Sequence, residues 1–299
     1  MKHYDLNTIP QFPNRAVTVG KFDGIHRGHQ ELLRVLRENA PDLPIAVLKI
    51  VPDNCETPTI LTEEESDYIL KNFGVDAVVI VPLTDSIRQM RPEEFVTEIL
   101  IKKFRCTVLA VGDDFRFGRN RSGTAEWLRQ ESSRFGLQTF VCTMEYRKNE
   151  MISSTSVREL LMQSDLQAVT DSLGFPYFIM GTVIRGKQLG RTISFPTINL
   201  IPEKRKLLPP IGVYETETEL NGIRYASVTN IGTNPSVKDN VPHAVTVETH
   251  ILGFSGDCYG ETAIVRFVRK LREQISFGSL DELKEQLCRD IENVKKRNG

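Results

Sequence analysis

The chain has 299 residues, 26% of them charged and 40% hydrophobic, with a formal net charge of −1. That length fits two modest domains better than one, and near-neutrality removes any long-range electrostatic reason to expect nucleic acid or an acidic membrane as a partner. The five cysteines, Cys55, Cys106, Cys142, Cys258 and Cys288, are odd in number and form no CxxC pair, which argues for reduced thiols and against a disulfide framework or a thiolate zinc site.

The opening residues, MKHYDLNTIPQFPNR, lack the apolar stretch of a secretory signal, and the longest strongly apolar run, Ala77–Val81, is far short of a membrane span. A cytoplasmic protein is expected. From there, apolar β-branched runs at Ala16–Val19, Ile45–Ile50, Ala77–Val81, Thr107–Val111 and Gln138–Cys142 alternate with helix-period segments around Gln30–Glu38, Glu63–Phe73, Glu93–Lys103 and Thr124–Phe135. Strand-helix alternation of this kind predicts a parallel sheet covered on both faces. Two further helices are predicted through Val157–Gln163 and Leu166–Ser172, and Leu173-Gly174-Phe175-Pro176 ends the second. Beyond it the period changes to that of strands: Phe178–Ile184, Gly212–Leu220, Ile223–Ile231, Thr246–Leu252 and Glu261–Val268, with Asn221-Gly222 as a hairpin turn and a last amphipathic helix over Leu280–Val294. The expected organisation is an α/β domain over 1–172 and an antiparallel barrel or sandwich with one terminal helix over 173–299.

Four stretches carry chemistry. The first, Gly20-Lys21-Phe22-Asp23-Gly24-Ile25-His26-Arg27-Gly28-His29, joins the first apolar run to a helix. A strand-to-helix junction in a parallel sheet is where such folds bind ligands, and the helix N-terminus offers free N–H groups to a phosphate. Gly24 and Gly28 let the backbone approach closely, and His26 and His29 can donate to phosphate oxygens. The second, Ile152-Ser153-Ser154-Thr155-Ser156-Val157-Arg158, reads as a helix cap, but Arg158 in the first turn opposes the helix dipole unless an anion is bound there. The third, Gly186-Lys187-Gln188-Leu189-Gly190-Arg191-Thr192-Ile193-Ser194-Phe195-Pro196-Thr197-Ile198-Asn199, offers a flexible loop, then two side-chain oxygens two positions apart, on one face of an extended segment. In Thr246–Ile251, Glu248 and His250 share one face and Val247 and Ile251 the other, so Glu248 is a candidate base.

GKFDGIHRGH with ISSTSVR resembles the HxGH and ISSTxxR motifs of the nucleotidyltransferase superfamily, in the version found in bacterial bifunctional riboflavin kinase/FAD synthetases. Val111–Gly118 (VGDDFRFG) is similar to another segment of that family. The resemblance implies a Rossmann-like domain in which Gly20, Phe22, Asp23, Gly24, His26, Gly28 and His29 bind ATP. Ser153, Ser154, Thr155 and Arg158 would close around its phosphates, with Asp114 on the flavin side. FMN phosphate would attack the α-phosphorus. GxxxGRxxxFPTxN, GVY at Gly212–Tyr214, NIGTNP at Asn230–Pro235, VETH at Val247–His250, CYG at Cys258–Gly260 and VRKLREQISF at Val268–Phe277 resemble riboflavin kinase in family order. That match implies a six-stranded antiparallel β-barrel with a terminal helix, Gly186, Gly190, Arg191 and Pro196 around ATP, and Thr197 and Asn199 on Mg²⁺. Glu248 would be the base and Arg272 a flavin or phosphate contact.

The implied ligands are riboflavin, FMN and Mg-ATP. The sequence sets no oligomeric state. Three departures stand out. The family's Pro-His-Pro segment is replaced by Val51-Pro52-Asp53-Asn54, Ser194 stands where Gly is usual, and Gly253 where Asp is usual. Two alternatives stand beside the bifunctional reading, and the missing histidine segment motivates the first of them. One is a riboflavin kinase whose adenylyltransferase is impaired or redirected to another phosphate acceptor. The other is a non-catalytic flavin-binding or regulatory protein.

Overall fold

The computed structural model describes residues 1–6, 8–52, 56–143, 146–147, 150–185, 195–233 and 245–298. Its contacts divide the chain into two units, Met1–Ser156 and Val157–Gly299. In the first, six strands form one sheet: β1 (Lys2–Asp5), β2 (Arg15–Gly20), β3 (Ile45–Pro52), β4 (Val75–Leu83), β5 (Cys106–Gly112) and β6 (Gln138–Cys142). Their order is β1-β4-β3-β2-β5-β6 and every neighbouring pair is parallel. Consecutive buried residues such as Ala16, Val17, Thr18 and Val19 show why the runs look continuously apolar, since both faces are covered. Val17, Val19, Leu48, Val79, Leu109 and Val111 pack on Phe95, Ile99, Phe104 and Leu128. On the other face Val47, Val78 and Ile80 line a small cleft together with Leu70. Full burial of each such side chain is worth roughly 1.5–3 kcal/mol.

Helices α1 (Arg27–Asn39) and α2 (Glu63–Asn72) lie where the sequence places them. The segment expected as a helix over Glu93–Lys103 begins as a short α-turn, Pro92–Glu94, and continues as a π-helix, Phe95–Lys103. The one expected over Thr124–Phe135 is helix α3 (Ala125–Glu131) followed by a 3₁₀ turn, Ser132–Phe135. The chain moves outward from β2 to β3 and β4, then returns past β2 to β5. That reversal opens a crevice at the carboxyl ends of β2 and β5. Gly20 and Gly112 stand at those ends.

The second unit takes in most of helix α4 (Ser154–Met162) and all of α5 (Leu166–Leu173). The sequence reading draws the domain line at 172/173, where helical period stops. The contacts of the chain change over at 156/157, because α5 packs on a strand of the second sheet. Gly174 ends α5 in a left-handed cap, φ +78°. The sheet comprises β7 (Phe178–Thr182), β8 (Thr197–Leu200), β9 (Gly212–Leu220), β10 (Ile223–Thr233), β11 (Val245–Ile251) and β12 (Thr262–Arg272). It is antiparallel throughout, in the order β7-β12-β9-β10-β11-β8. A bridge between Ile184 and Asn199 joins the chain leaving β7 to β8, so the two edges meet and the sheet closes as a barrel. Asn221 and Gly222, both at positive φ, make the tight β9–β10 hairpin.

The barrel contains a buried hydroxyl chain as well as apolar side chains. Thr218 bonds Ser227, Ser227 bonds Thr216, Thr216 bonds Thr229 and Thr229 bonds Thr249, each at 2.8–2.9 Å. Every one of these buried hydroxyls is thereby satisfied. Helix α6 (Leu280–Asn298) lays Ile291 and Val294 against Val213 and Val228.

Candidate active sites

The loop after β2 is strained and held. Phe22 and Ile25, neither a glycine, adopt φ +48°, and Gly24 between them adopts +88°. Left-handed backbone at a bulky and a β-branched residue costs about 1–3 kcal/mol each and persists only where the surroundings fix it. Here they do. The Phe22 and Ile25 side chains are buried, and Asp23 Oδ1 accepts the Ile60 N–H at 2.8 Å. The Ile25 carbonyl accepts from Gln30 Nε2 at 2.8 Å. The Ser154 hydroxyl donates to the Asp23 carbonyl at 2.8 Å, so the two N-terminal motifs meet in space.

Three rings stack over the start of α1. Phe22 lies 4.3 Å from His29, and His29 lies 3.8 Å from His26, centroid to centroid. His26 is the N-cap of α1, yet its side chain caps nothing and the first turn holds no acidic residue. The contrast with α2 is direct: there Thr62 and Glu65 form a capping box that occupies the helix end. The positive end of α1 is left open to an anion. His26 is 3% exposed, and its Nδ1 and that of His29 are buried without a hydrogen-bond partner among the described residues. Burial pushes the His26 imidazole down to about 4; His29 is held well below the ordinary value by burial, then by His26 and Lys49. Both are neutral near pH 7, so they offer a ligand N–H donors rather than charge.

The remaining N-terminal candidates are placed as follows. Ser153 caps α4 reciprocally with Ser156, N–H to Oγ in both directions at 2.9 and 3.2 Å. Capping therefore accounts for Ser153, whereas Ser154 is spent on the loop. Thr155 follows it on the helix, and Arg158 lies beyond the division between the units. Gly28 is buried in α1. Asp114 is exposed in the turn after β5, where the Phe115 N–H bonds the Gly112 carbonyl at 3.0 Å and the rings of Phe115 and Phe117 stack at 5.3 Å. Pro52 ends β3, while Asp53 and Asn54, which replace the histidine segment, lie outside the described residues.

In the barrel, strand register does the assembling. Thr197 pairs with His250 and Asn199 with Glu248 across β8 and β11. Asn230 of β10 pairs with Glu248 from the other side. Register partners share a face at about 4.5–5.5 Å between Cα atoms, so Asn199, Glu248 and Asn230 form one row, with Thr197 and His250 in the next. The opposite face carries buried Ile198, Leu200, Val247, Thr249 and Ile251. His250 Nδ1–H donates to the Pro196 carbonyl at 2.8 Å and its ring meets Phe195 edge-on at 5.4 Å, which holds the segment leading into Thr197. Asn230, within the NIGTNP stretch, is a site neighbour that only the register reveals. Gly186, Gly190, Arg191 and Ser194 lie outside the described residues, as do Asn234 and Pro235.

Arg272 has a partner that the sequence did not suggest. Its Nε and Nη2 clasp the Asp290 carboxylate of α6 at 2.8–3.2 Å, and Gln286 donates to the same carboxylate at 2.9 Å. Asp290 is 2% exposed. In this structure the guanidinium fastens the terminal helix to β12.

Among the described residues no three His, Cys, Asp or Glu side chains gather as a metal cluster. Thr197 and Asn199 instead offer neutral oxygens beside one carboxylate, the donor set that suits Mg²⁺ shared with substrate phosphates.

Comparison with known proteins agrees with both halves. A family model described as FAD synthetase matches residues 9–156 and one described as riboflavin kinase matches residues 173–298. The chain is 35% identical over 290 residues to the bifunctional riboflavin kinase/FMN adenylyltransferase of Haemophilus influenzae, covering 94% of this chain and 93% of that one. It is 36% identical over 297 residues to the protein of the same name from Escherichia coli, covering 96% and 93%. A solved structure from Streptococcus pneumoniae, named a macrolide-efflux protein, superposes with a TM-score of 0.83 at 28% identity over 97% of this chain and 96% of its own. That name is the neighbour's own; no described helix here is long and apolar enough to cross a membrane.

Proposed function

We propose, for a chain that belongs to the bifunctional riboflavin kinase/FMN adenylyltransferase family, a division of its chemistry between the two side-chain constellations described above. The enzyme phosphorylates riboflavin to FMN with ATP and transfers AMP from a second ATP to FMN, giving FAD and pyrophosphate. The observation that carries the division is that the Gly20–His29 loop meets Ser154 at a parallel-sheet switch point, while Thr197, Asn199 and Glu248 gather on two antiparallel strands.

In the barrel, Glu248 is the base that takes the proton of the riboflavin 5′-hydroxyl as its oxygen attacks the γ-phosphorus, and ADP leaves. Thr197 and Asn199 would hold Mg²⁺ with the ATP phosphates, and the ion would supply charge neutralisation at the transferring phosphoryl group. Pro196, fixed by His250, sets where Thr197 points. Gly186, Gly190 and Arg191 are assigned to the ATP phosphates by their motif, and Arg272 belongs to the flavin side through its place at the end of β12.

In the parallel sheet, an FMN phosphate oxygen bonds to the α-phosphorus of ATP as the bond to pyrophosphate breaks. The protein positions both reactants and stabilises the leaving charge. Gly20, Phe22, Asp23, Gly24 and Gly28 shape the cradle. The neutral imidazoles of His26 and His29 and the open end of α1 donate to phosphate oxygens. The ISSTSVR motif supplies the remaining ATP-phosphate residues of the family, Ser153, Ser154, Thr155 and Arg158, and Asp114 belongs to the flavin side. The four described free cysteines, Cys106, Cys142, Cys258 and Cys288, suit the cytoplasm.

Chromatography of the flavins after incubation with riboflavin and Mg-ATP tests the whole reading. FMN followed by FAD is expected. FMN alone, even when FMN is supplied, would remove the second activity, and unchanged riboflavin would remove the first.

A further inference from the structure

The two histidines of the adenylyl-transfer site are held neutral, so beside Arg158 of the ISSTSVR motif a further cation toward the expelled pyrophosphate would add charge that they do not supply. We propose that Lys49 is that cation, a phosphate-binding residue that holds the departing pyrophosphate half of ATP. The inference rests on the assignment of the Gly20–His29 loop as the adenylyl site.

The geometry begins with register. Lys49 of β3 is the parallel partner of Gly20, the last residue of β2, at the carboxyl edge of the sheet where the loop starts. Neighbouring strands lie about 4.8 Å apart and register partners project from the same face. A Cβ built on Gly20 would stand 3.3 Å from the Phe22 ring and 3.8 Å from His29 Nε2. The Lys49 side chain therefore leaves the sheet one strand spacing from the stacked rings, over the space that Gly20 keeps open. It lines a small cleft with Phe22, Ser66 and Ile80.

Lys49 is half-buried and makes no hydrogen bond or ion pair among the described residues. One acid of the cleft is already committed: both oxygens of Asp67 are bonded to His3 Nε2, at 2.7 and 2.8 Å. Glu63, the other acid of the cleft, sits exposed in the first turn of α2. Ser66 Oγ, buried without a partner, is a further donor in the same cleft. The charge of Lys49 is felt at His29, where it adds to the forces that keep that ring neutral. Lys21 and Arg27, the cations within the loop itself, are exposed. A compact ammonium on a flexible stem matches a pyrophosphate that changes position as it leaves.

The test uses the full chain with Lys49→Met and Lys49→Arg, assayed for FAD formation and for its reversal by Mg-pyrophosphate. Lys49→Met is expected to raise KM for pyrophosphate and lower kcat/KM for ATP in adenylylation by about 10–100-fold. Lys49→Arg should restore most of it, and riboflavin phosphorylation should be unchanged in both. A normal pyrophosphate KM in Lys49→Met, with His29→Ala impaired, overturns the role of Lys49 alone. Intact FAD formation in His29→Ala overturns the site assignment and this inference with it. If Lys49→Met does not fold, the unaltered protein answers: Mg-pyrophosphate should slow amine acylation at Lys49, read by mass spectrometry. Unchanged acylation overturns the proposal.

Discussion

The two active regions are built by opposite means. The adenylyl site draws its cradle from one contiguous loop whose backbone is forced into left-handed conformations and whose rings are stacked, with Phe22 and His26 buried. The kinase site draws single side chains from β8, β10 and β11, all in regular strand geometry, brought together by register alone. Strain concentrated in a loop tolerates little substitution within it but is indifferent to the strand pairing of the other unit. A site made by register tolerates side-chain change on its opposite face but depends on every strand holding its place.

Substitutions that separate the two sites test this contrast. Glu248→Gln should lower FMN formation by about 10²–10⁴-fold, as expected for loss of a positioned base, and leave FMN-to-FAD conversion untouched. Flavin chromatography of each step separately reads this; equal loss in both steps would merge the sites. Asp290→Ala leaves the Arg272 guanidinium and Gln286 without their buried partner and should cost about 3–5 kcal/mol. Chemical denaturation should show that loss in the second unit, with adenylylation retained.

Acid should affect the first unit more than its carboxylates explain. The folded pKa of His26, about 4, lies below its unfolded value near 6.5, so its contribution to stability is full above that value. It is lost as pH falls through the window, on the order of 3 kcal/mol by pH 4, because the unfolded chain binds the proton first. His26→Asn should flatten the pH dependence of the unfolding midpoint between those limits. His29→Ala should reduce FAD formation by about 100-fold and leave riboflavin phosphorylation at its original rate. Gly24→Ala forces a Cβ at φ +88° to within 3.1 Å of Ile60 Cδ1. It should cost about 1–3 kcal/mol and lower FAD formation with it; thermal unfolding and the adenylylation assay together check this.

The same contrast explains what the sequence discloses. The Gly20–His29 loop is legible because its residues are contiguous, and Ser154 because it lies in a motif. The neutrality of the histidines is not, since it follows from burial, and Lys49 is not, since only strand register brings it to Gly20. In the barrel, alternation reveals that Glu248 and His250 share a face, but not that Asn230 and Asn199 flank Glu248. Strand β1, Lys-His-Tyr-Asp, is short and polar and becomes a strand only because β4 offers it an edge. Residues 95–103 have the apolar content of a helix, and such content does not distinguish a π-helix from an α-helix. The reading of Arg272 as a flavin contact lacked Asp290, because the docking of α6 is a tertiary event.

The bridge that closes the barrel gives Asn199 two duties. Its carbonyl accepts the Ile184 N–H at 2.9 Å, so it forms the seam between the first and last strands of the sheet order, while its side chain stands in the row of the base. Anything that binds the Asn199 side chain is thermodynamically linked to closure of that seam, and stabilises it by RT ln(1 + [L]/Kd). The amide of Ile184 thus becomes a reporter of nucleotide occupancy: its hydrogen exchange should slow in proportion to saturation with Mg-ATP, although it contributes no side chain to the reaction.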